Sequence, residues 1–449
     1  MHNMKSYRWL IFWLLSTSYI LVYFHRICTS VLAVDLMRDL NAGPSLIGLL
    51  GSAYFYPYAL MQLPAGLLSD SWGARKTITL FFIVAFLGSV ILGLAPTVTW
   101  AIVGRTMVGI GVSMLFVPTL KILSEWFAPR EYAHMTGLLL GMGGVGSLIA
   151  ATPLVWFSNL VGWRNSFLSV GLITLLLSVL IWLIVRNRPE DKGWVLQSGV
   201  PEQKPSDITF SSLILAVRQV ISSSYFWPLA VWFFFDFAIA FSFGGLWGGP
   251  YLMHVYGMSR VEAGHILSMM ACGLVVGAPF LTWLSDSIFG QRKPVLIITS
   301  AGMVLITALL TFSDSIPIWG LYILYFMITV CGNAIGAIVF TMNKELFPVS
   351  IAGTATGLVN LFPFIGGALF QPFLGYMLER HEKVNDVFSI SAYQSAFLPL
   401  FVCALIALGA ALCSRETMEK PVAKAPVYPG NLDQYSSAVL NKEGTRQSG

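Results

Sequence analysis

The chain has 449 residues, of which 56% are hydrophobic and only 10% are charged. Soluble globular proteins carry about 25% charged residues, so this composition excludes that class and indicates a chain embedded in lipid. The net charge of +5 is no argument for a nucleic-acid partner, because membrane proteins concentrate Lys and Arg in loops that stay in the cytoplasm.

Twelve apolar segments follow one another along the chain, and each provides the roughly 20 residues that a membrane-spanning helix needs. Only helices and closed barrels satisfy backbone hydrogen bonds inside hydrocarbon, and apolar runs of this length are typical of helices. The predicted spans lie near 9–34, 46–69, 77–95, 98–124, 133–158, 166–185, 226–252, 261–284, 294–312, 317–343, 352–378 and 393–413. The predicted fold class is therefore an all-α integral membrane protein with 12 transmembrane helices.

A polar stretch separates the first six predicted helices from the last six. It predicts an N-terminal bundle over 1–185, a cytoplasmic linker over 186–224, a C-terminal bundle over 225–413 and a disordered cytoplasmic tail over 414–449. The first apolar run is too long for a signal-peptide core and has no small-residue cleavage site, so we expect it to be retained. Of the 26 Lys and Arg residues, 18 fall on the side of the termini and 5 on the other, which predicts cytoplasmic termini in the cell membrane, the inner membrane in a bacterium.

The two halves repeat the same motifs. Residues 66–76 after helix 2 correspond to residues 282–293 after helix 8 at an offset of 216, and Glu125 corresponds to Glu345 at an offset of 220. Offsets that grow in steps indicate the same order of elements with longer loops in the second half. Two pseudo-symmetric six-helix bundles are predicted, an arrangement in which transporters place the substrate site between the repeats.

Together these motifs resemble the major facilitator superfamily over nearly the whole chain. The motifs are Gly66-x-x-x-Asp70-x-x-Gly73-x-Arg75-Lys76, its copy after helix 8, Arg105-x-x-x-Gly109-x-Gly111 in helix 4 and Gly162-Trp-Arg164 before helix 6. Tyr-Phe-His25-Arg26 in helix 1 and Glu125-Trp-Phe-x-Pro129-x-Glu131 after helix 4 look like the branch of anion:cation symporters and organophosphate exchangers. The resemblance implies a secondary transporter that works as a monomer on a small-molecule substrate.

The resemblance also implies a gate that latches the cytoplasmic side in the outward-open state. The predicted gating residues are Asp70, Gly73, Arg75, Asp286, Arg292, Glu125 and Glu345. Asp70 is expected at the start of helix 11 near Ala352, where the helix dipole favours an anion, and Asp286 is expected near Ala133. The alternative is that the basic residues of these motifs only determine topology.

Arg26, Arg105 and Asp236 are strong charges within predicted spans, where a charge is costly and usually faces a cavity or a partner. Arg26 and Arg105 lie at overlapping depths, and their planar guanidinium groups suit a carboxylate or a phosphate. We expect them to form a positive well for a substrate anion. The alternatives are that Arg26 snorkels to the outer headgroups and that Arg105 bonds neighbouring backbone carbonyls.

Asp236 is the first candidate for proton coupling, because it lies near the midplane of helix 7 and a buried carboxyl group can hold a proton in one conformation and release it in another. His25 is the second, since imidazole titrates near physiological pH. The alternatives are a structural Asp–Arg pair between the halves and a histidine whose bonds are satisfied within its bundle. His25 and Val112 stand where the branch often has acids, which puts the usual coupling groups in doubt.

Polar side chains on three further helices complete the predicted substrate site. Tyr54, Tyr58 and Gln62 fall at i, i+4 and i+8 on one face of helix 2, and Asn333 and Asn360 lie in helices 10 and 11. The competing interpretation of the helix 2 residues is a packed aromatic stripe.

The predicted function is secondary active transport of a small organic anion, a carboxylate or sugar acid, by proton symport through a cavity that rocks between the halves. Alternatives within transport are amino-acid transport, with Asp236 binding the ammonium group and Arg26 the carboxylate, and efflux of an amphiphile. A non-transporting receptor is a more remote alternative. The sequence has no Walker-type loop, no catalytic cluster and no metal spacing among its five cysteines, so no enzyme activity, metal or cofactor is expected.

Overall fold

The computed structural model describes residues 2–194, 210–383 and 387–418. In the N-terminal half the helices are α1 (His2–Asp39), α2 (Pro44–Ser52), α3 (Phe55–Leu68), α4 (Ala74–Gly93), α5 (Val98–Ser113), α6 (Phe116–Trp126), α7 (Pro129–Ile149) and α8 (Thr152–Ile184). A linker helix, α9 (Phe210–Ile221), packs against the second half. Residues 419–449 of the predicted disordered tail lie outside the described residues.

The C-terminal half repeats this organisation. Its helices are α10 (Phe226–Ile239), α11 (Gly248–Val255), α12 (Arg260–Trp283), α13 (Lys293–Phe312), α14 (Ile318–Thr329), α15 (Gly336–Glu345), α16 (Val349–Val359), α17 (Leu361–Glu379) and α18 (Ile390–Cys413). Turns of π-helix join consecutive segments at Ser69–Gly73, Ala240–Trp247, Leu284–Phe289 and Val330–Ala334.

Ten helical runs within the described residues are long and apolar enough to cross a membrane, which confirms the helical membrane class. The other two predicted spans are interrupted. The second consists of α2 and α3, which are separated at Ala53–Tyr54, and the fifth continues from α7 into the first part of α8. The twelve predicted spans are thus consistent with the helices observed.

Gly162 makes the turn between the fifth and sixth spans by itself. Its φ of 82° and ψ of 158° interrupt α8, whose residues are otherwise helical on both sides. Glycine adopts a positive φ without the steric cost that a Cβ atom brings. The connection therefore takes one residue, where the predicted spans left a gap from 159 to 165.

Contacts between the halves are concentrated away from the termini. We call the side where α1 begins and α18 ends the terminal face, and the opposite side the distal face. Helix α1 packs on α11 and on the π-helical turn Ala240–Trp247, α2 and α3 pack on α17, and α7 and α8 pack on α12. Helices α6 and α16 both lie near the terminal face. Their described residues make few or no contacts with each other.

Three polar contacts close the distal side. Arg260 Nη1 lies 2.6 Å from Asp35 Oδ2, which is buried at the end of α1. The backbone N–H of Gly249 donates to Ser30 Oγ over 3.1 Å, and the Ser45 hydroxyl donates to Glu379. The two halves are therefore joined at the distal face.

Candidate functional site

Arg26 lies at the seam between the two halves. Its Nη2 donates to Tyr58 Oη over 2.9 Å, and its guanidinium carbon lies 4.4 Å from the ring centre of Tyr23 and 5.0 Å from that of Tyr58. The ring of Phe364, which belongs to α17 of the other half, lies 5.3 Å away. Two helices of one half and one of the other thus surround this cation.

The Arg26 guanidinium retains unused hydrogen-bonding capacity. Its Nε is buried without a hydrogen-bond partner, and none of the ion pairs between described residues includes it. A guanidinium presents five N–H donors in a planar fork that matches a carboxylate in two parallel bonds. The arrangement is chemically suited to an anion that enters between the halves.

Arg105 is directed elsewhere, although it is close in depth. Its side chain is fully buried, and its Nη2 donates to the backbone carbonyl of His25 and, over 3.1 Å, to Thr29 Oγ1. Its Nη1 lies 3.6 Å from Cys28 Sγ. All three partners belong to α1, so Arg105 fastens α5 to α1. The structural alternative fits these contacts better than the predicted second cation of a substrate well.

The two tyrosines on one face of the second span have different hydrogen-bond partners. Tyr54 is fully buried and donates to the carbonyl of Val22 over 3.1 Å, whereas Tyr58 bonds Arg26 directly. The Tyr58 ring also packs on Phe364, with 4.5 Å between ring centres. Gln62 is half-buried one turn beyond Tyr58 toward the terminal face. Of this stripe, Tyr58 thus makes the 2.9 Å hydrogen bond to Arg26, and the Tyr54 hydroxyl also interacts with that guanidinium.

The two predicted proton-coupling groups are both fully buried. Neither ring nitrogen of His25 has a hydrogen-bond partner, and neither carboxyl oxygen of Asp236 has one. Asp236 Oδ2 lies close to Gly332. A Cβ atom added to this glycine would be 3.3 Å from that oxygen. Gly332 belongs to the π-helical turn Val330–Ala334, so Asp236 is enclosed within the C-terminal half, and the predicted Asp–Arg pair is absent among the described residues.

Other polar residues of the C-terminal half are partly or fully enclosed. Asn333 and Asn360 are half-buried, and Asn333 Oδ1 has no hydrogen-bond partner. Gln371, which the sequence interpretation missed, is fully buried in α17 and donates to the carbonyl of Phe241 over 2.8 Å. Its backbone carbonyl accepts from Trp247 Nε1 over 2.9 Å, and its side-chain oxygen has no hydrogen-bond partner. The signal available in the sequence was a single amide within an otherwise apolar helix.

The described acidic gating residues pair with basic residues of their own half or of the linker that follows it. Arg292 reaches Asp286 over 3.5 Å and Glu345 over 2.8 Å, and Glu125 lies 3.8 Å from Arg188. Asp286 pairs with Arg292, and the Ala133 side chain, near which Asp286 was expected, lies outside the described part of the structure. The Asp70 side chain lies outside the described part of the structure.

Gly73 and Arg75 shape the start of α4. Gly73 has a φ of 87°, in the region that glycine adopts most easily. The backbone N–H of Arg75 donates to Asn187 Oδ1 over 2.9 Å, and its guanidinium stacks on Trp182 with 4.2 Å to the ring centre. Arg75 thus contacts the end of α8 and its following loop.

The chain matches the model of the Major Facilitator Superfamily over residues 15–371 and again over 237–429. The chain belongs to the major facilitator superfamily. This superfamily member is 24% identical over 425 residues to a probable hexose phosphate transport protein of Chlamydia muridarum, with 90% of each chain covered. It is 23% identical over 409 residues to the probable galactarate/D-glucarate transporter GudP of Escherichia coli K12, covering 83% of this chain and 88% of that protein.

The fold agrees with the same assignment. A solved bacterial homologue of the human lysosomal transporter Spinster has a TM-score of 0.70 at 19% identity, with 91% of this chain and 96% of that chain covered. The predicted superfamily and its anion:cation and organophosphate branch are confirmed. The protein is accordingly a multi-pass membrane transporter whose relatives include carriers of organic anions.

Proposed function

We propose that this transporter carries a small organic anion, a carboxylate or sugar acid, in symport with a proton. The observation that carries the proposal is the Arg26 guanidinium, which lies at the seam of the halves with an unused Nε–H and no ion-pair partner among the described residues. Desolvating a cation is costly unless an anion compensates it. The substrate anion supplies that compensation, and relatives named for hexose phosphate and galactarate/D-glucarate support an anionic cargo.

The available donors favour a carboxylate over a phosphate. One planar guanidinium matches one carboxylate, whereas a phosphate dianion brings more charge than Arg26 alone neutralises. The two terminal nitrogens of Arg105 are directed at α1, so its guanidinium fork is not presented there, although its Nε is buried without a hydrogen-bond partner. The rings of Tyr23 and Phe364 offer apolar faces to the carbon skeleton, and the amides of Gln62, Asn333 and Asn360 are assigned to its hydroxyl groups.

Asp236 is the proposed proton carrier. A charged carboxylate that is buried without a partner costs several kcal/mol, so its surroundings suit the neutral, protonated group in this conformation. The neighbouring turn Val330–Ala334 is π-helical, a feature often found at functional sites, and its rearrangement would let water reach the carboxyl group. His25 is the second candidate, since its ring is also buried without a partner.

In this proposal the transporter alternates between a state that is closed at the distal side and a state that is closed at the terminal side. Opening the distal side requires breaking the Asp35–Arg260 ion pair and the Ser45–Glu379 hydrogen bond. The gating residues would then rearrange to close the terminal side, with a monomer sufficient for the cycle. With the termini in the cytoplasm, the joined distal side is the outer one, and we assign this conformation to the inward-facing state.

The amino-acid alternative is less compatible with the geometry. It requires Asp236 to bind an ammonium group while Arg26 binds the carboxylate of the same small molecule. Asp236 is fully buried against Gly332 within one half, whereas Arg26 lies between the halves. The two charges therefore face different surroundings.

Uptake by proteoliposomes tests the proposal. Protein reconstituted with an alkaline interior should accumulate a labelled sugar acid, and collapsing the proton gradient should abolish accumulation while counterflow persists. Accumulation that ignores the gradient would remove proton symport. Uptake of zwitterionic amino acids in place of anions would refute the anion assignment, and saturable binding without counterflow would favour a receptor.

A further inference from the structure

A groove of about 510 Å³ opens on the outer surface of the N-terminal half, away from the seam, between α4 and α8. Its wall near the terminal face includes Lys76 and the indole rings of Trp72 and Trp182, which are 51% and 44% exposed. Further from that face the wall is aliphatic, with exposed Leu80 and Val179. Tryptophan and lysine at one end of an apolar surface are typical of the membrane–water interface.

Two cations lie at this end of the groove: Lys76 is in its wall and Arg75 directly precedes it. Neither forms an ion pair with a carboxylate of the described residues, although the charge of Asp191 acts on Arg75. Lys76 is exposed and takes part in none of the ion pairs of that set. The Arg75 guanidinium carbon lies over the Trp182 ring, and the Arg75 Nε is buried without a hydrogen-bond partner. Both cations also lie in the first turn of α4, where the helix dipole favours a negative charge.

The internal repeat provides a comparison, because a second groove lies at the equivalent start of α13. Its wall includes Lys293, Ile297 and Glu416, and its volume is about 360 Å³. Glu416 accepts from the backbone N–H of Arg292 over 3.0 Å and from that of Lys293 over 2.8 Å. In this half the chain itself places a carboxylate on the first turn of the helix.

Glu416 is an anion at neutral pH. Burial acts to raise the pKa of its carboxyl group, but the bonds from the backbone N–H groups of Arg292 and its neighbours outweigh burial and hold the pKa below its usual value. At the equivalent place in the N-terminal half, the backbone N–H of Arg75 donates instead to the neutral amide of Asn187. The two grooves thus differ in their charge, because the wall of the C-terminal groove includes a carboxylate of the chain.

We propose that the N-terminal groove binds an anionic phospholipid, with the headgroup phosphate at Lys76 and Arg75 and an acyl chain along Leu80 and Val179. The phosphate would replace the carboxylate that Glu416 supplies in the other half. An acyl chain fits because the groove is aliphatic and opens sideways on the surface that faces hydrocarbon. Positively charged residues next to a membrane span attract anionic headgroups.

Native mass spectrometry of the full-length transporter in detergent tests this site with phosphatidylglycerol and phosphatidylcholine as probes. The wild type should retain phosphatidylglycerol preferentially, and Lys76→Ala should weaken its binding about tenfold. Lys293→Ala is the matched control, since its groove already contains Glu416, and its phosphatidylglycerol affinity should stay within about twofold of the wild type. An unchanged Lys76→Ala variant, or equal losses in both variants, would overturn the proposal.

Exchanging the residues that accept from the first turn of each helix, Asn187 in one half and Glu416 in the other, provides a second, independent measurement. Asn187→Glu should suppress the preferential binding of phosphatidylglycerol, and Glu416→Gln should add a second bound molecule. A cooperative melting transition above the assay temperature in every variant would show that these effects do not come from unfolding. Full competition by inorganic phosphate would overturn the proposal in favour of a site for soluble anions, and failure of both exchanges would overturn it altogether.

Discussion

Arg26 and Arg105 lie at similar depths, but the structure assigns them different roles, and replacing each in turn separates these roles. In Arg26→Gln the positive charge and the guanidinium fork are lost. Two charge-assisted bonds to a substrate carboxylate contribute roughly 3 kcal/mol in total, which corresponds to a loss of affinity of about 100-fold. The fold should change little, because the described hydrogen-bond partners of Arg26 are tyrosine hydroxyls, which the amide of Gln can also bond.

Arg105→Gln should show the opposite pattern. It removes the bonds to the carbonyl of His25 and to Thr29 Oγ1, and a buried acceptor without a partner costs about 1–3 kcal/mol. We expect a melting temperature lowered by several degrees, with the Kd of the folded protein changed less than about threefold.

The assay is a thermal melt of purified protein with and without a bound sugar acid, combined with calorimetric titration. Arg26→Lys is the control for charge without the fork, and its affinity should fall between those of the wild type and Arg26→Gln. The reasoning is refuted if Arg26→Gln binds as tightly as the wild type. It is equally refuted if Arg105→Gln loses binding at full stability.

Three further variants test the closed side, the tail and the single-residue turn. Arg260→Ala leaves buried Asp35 without its 2.6 Å partner, so a cysteine introduced at the distal seam should be alkylated faster; an unchanged rate would contradict the distal closure. Glu416 has a lowered pKa when folded, so it stabilises at neutral pH and loses this effect as pH falls through that pKa; the difference in melting temperature between the wild type and Glu416→Gln should shrink toward pH 4, and a constant difference would contradict it. Gly162→Ala should lower the melting temperature because of its φ of 82°, whereas Gly409→Ala, within α18, should not; equal effects would contradict the backbone argument.

The membrane class, the helical spans and the duplication followed from the sequence because each rests on local chemistry. Hydrocarbon offers no hydrogen bonds to the backbone, so a long apolar run has to be helical whatever it packs against. The repeated motif of 66–76 and 282–293 required no knowledge of packing either. Arg26 was also a reasonable candidate from sequence, since a charge within a span needs a partner or a cavity.

The orientation of individual side chains was decided by tertiary structure. Arg105 and Arg26 look equivalent along the chain, but α5 packs so that Arg105 meets the α1 backbone while Arg26 faces Tyr58 and Phe364. Asp236 is similarly enclosed beside Gly332, a residue almost a hundred positions away. Helical periodicity specifies which residues share a face, but the rotation of that face depends on distant helices.

The same reason explains the difference between the two grooves. By sequence alone, Arg75 and Lys76 match Arg292 and Lys293 as copies of one motif. Only the packing of α8 against α4 and of α18 against α13 brings an amide to one copy and Glu416 to the other. The sequence by itself determined the duplicated helical framework, because that depends on local hydrophobicity and repetition. Tertiary structure decided which charges are neutralised, because the partners come from distant segments of the chain.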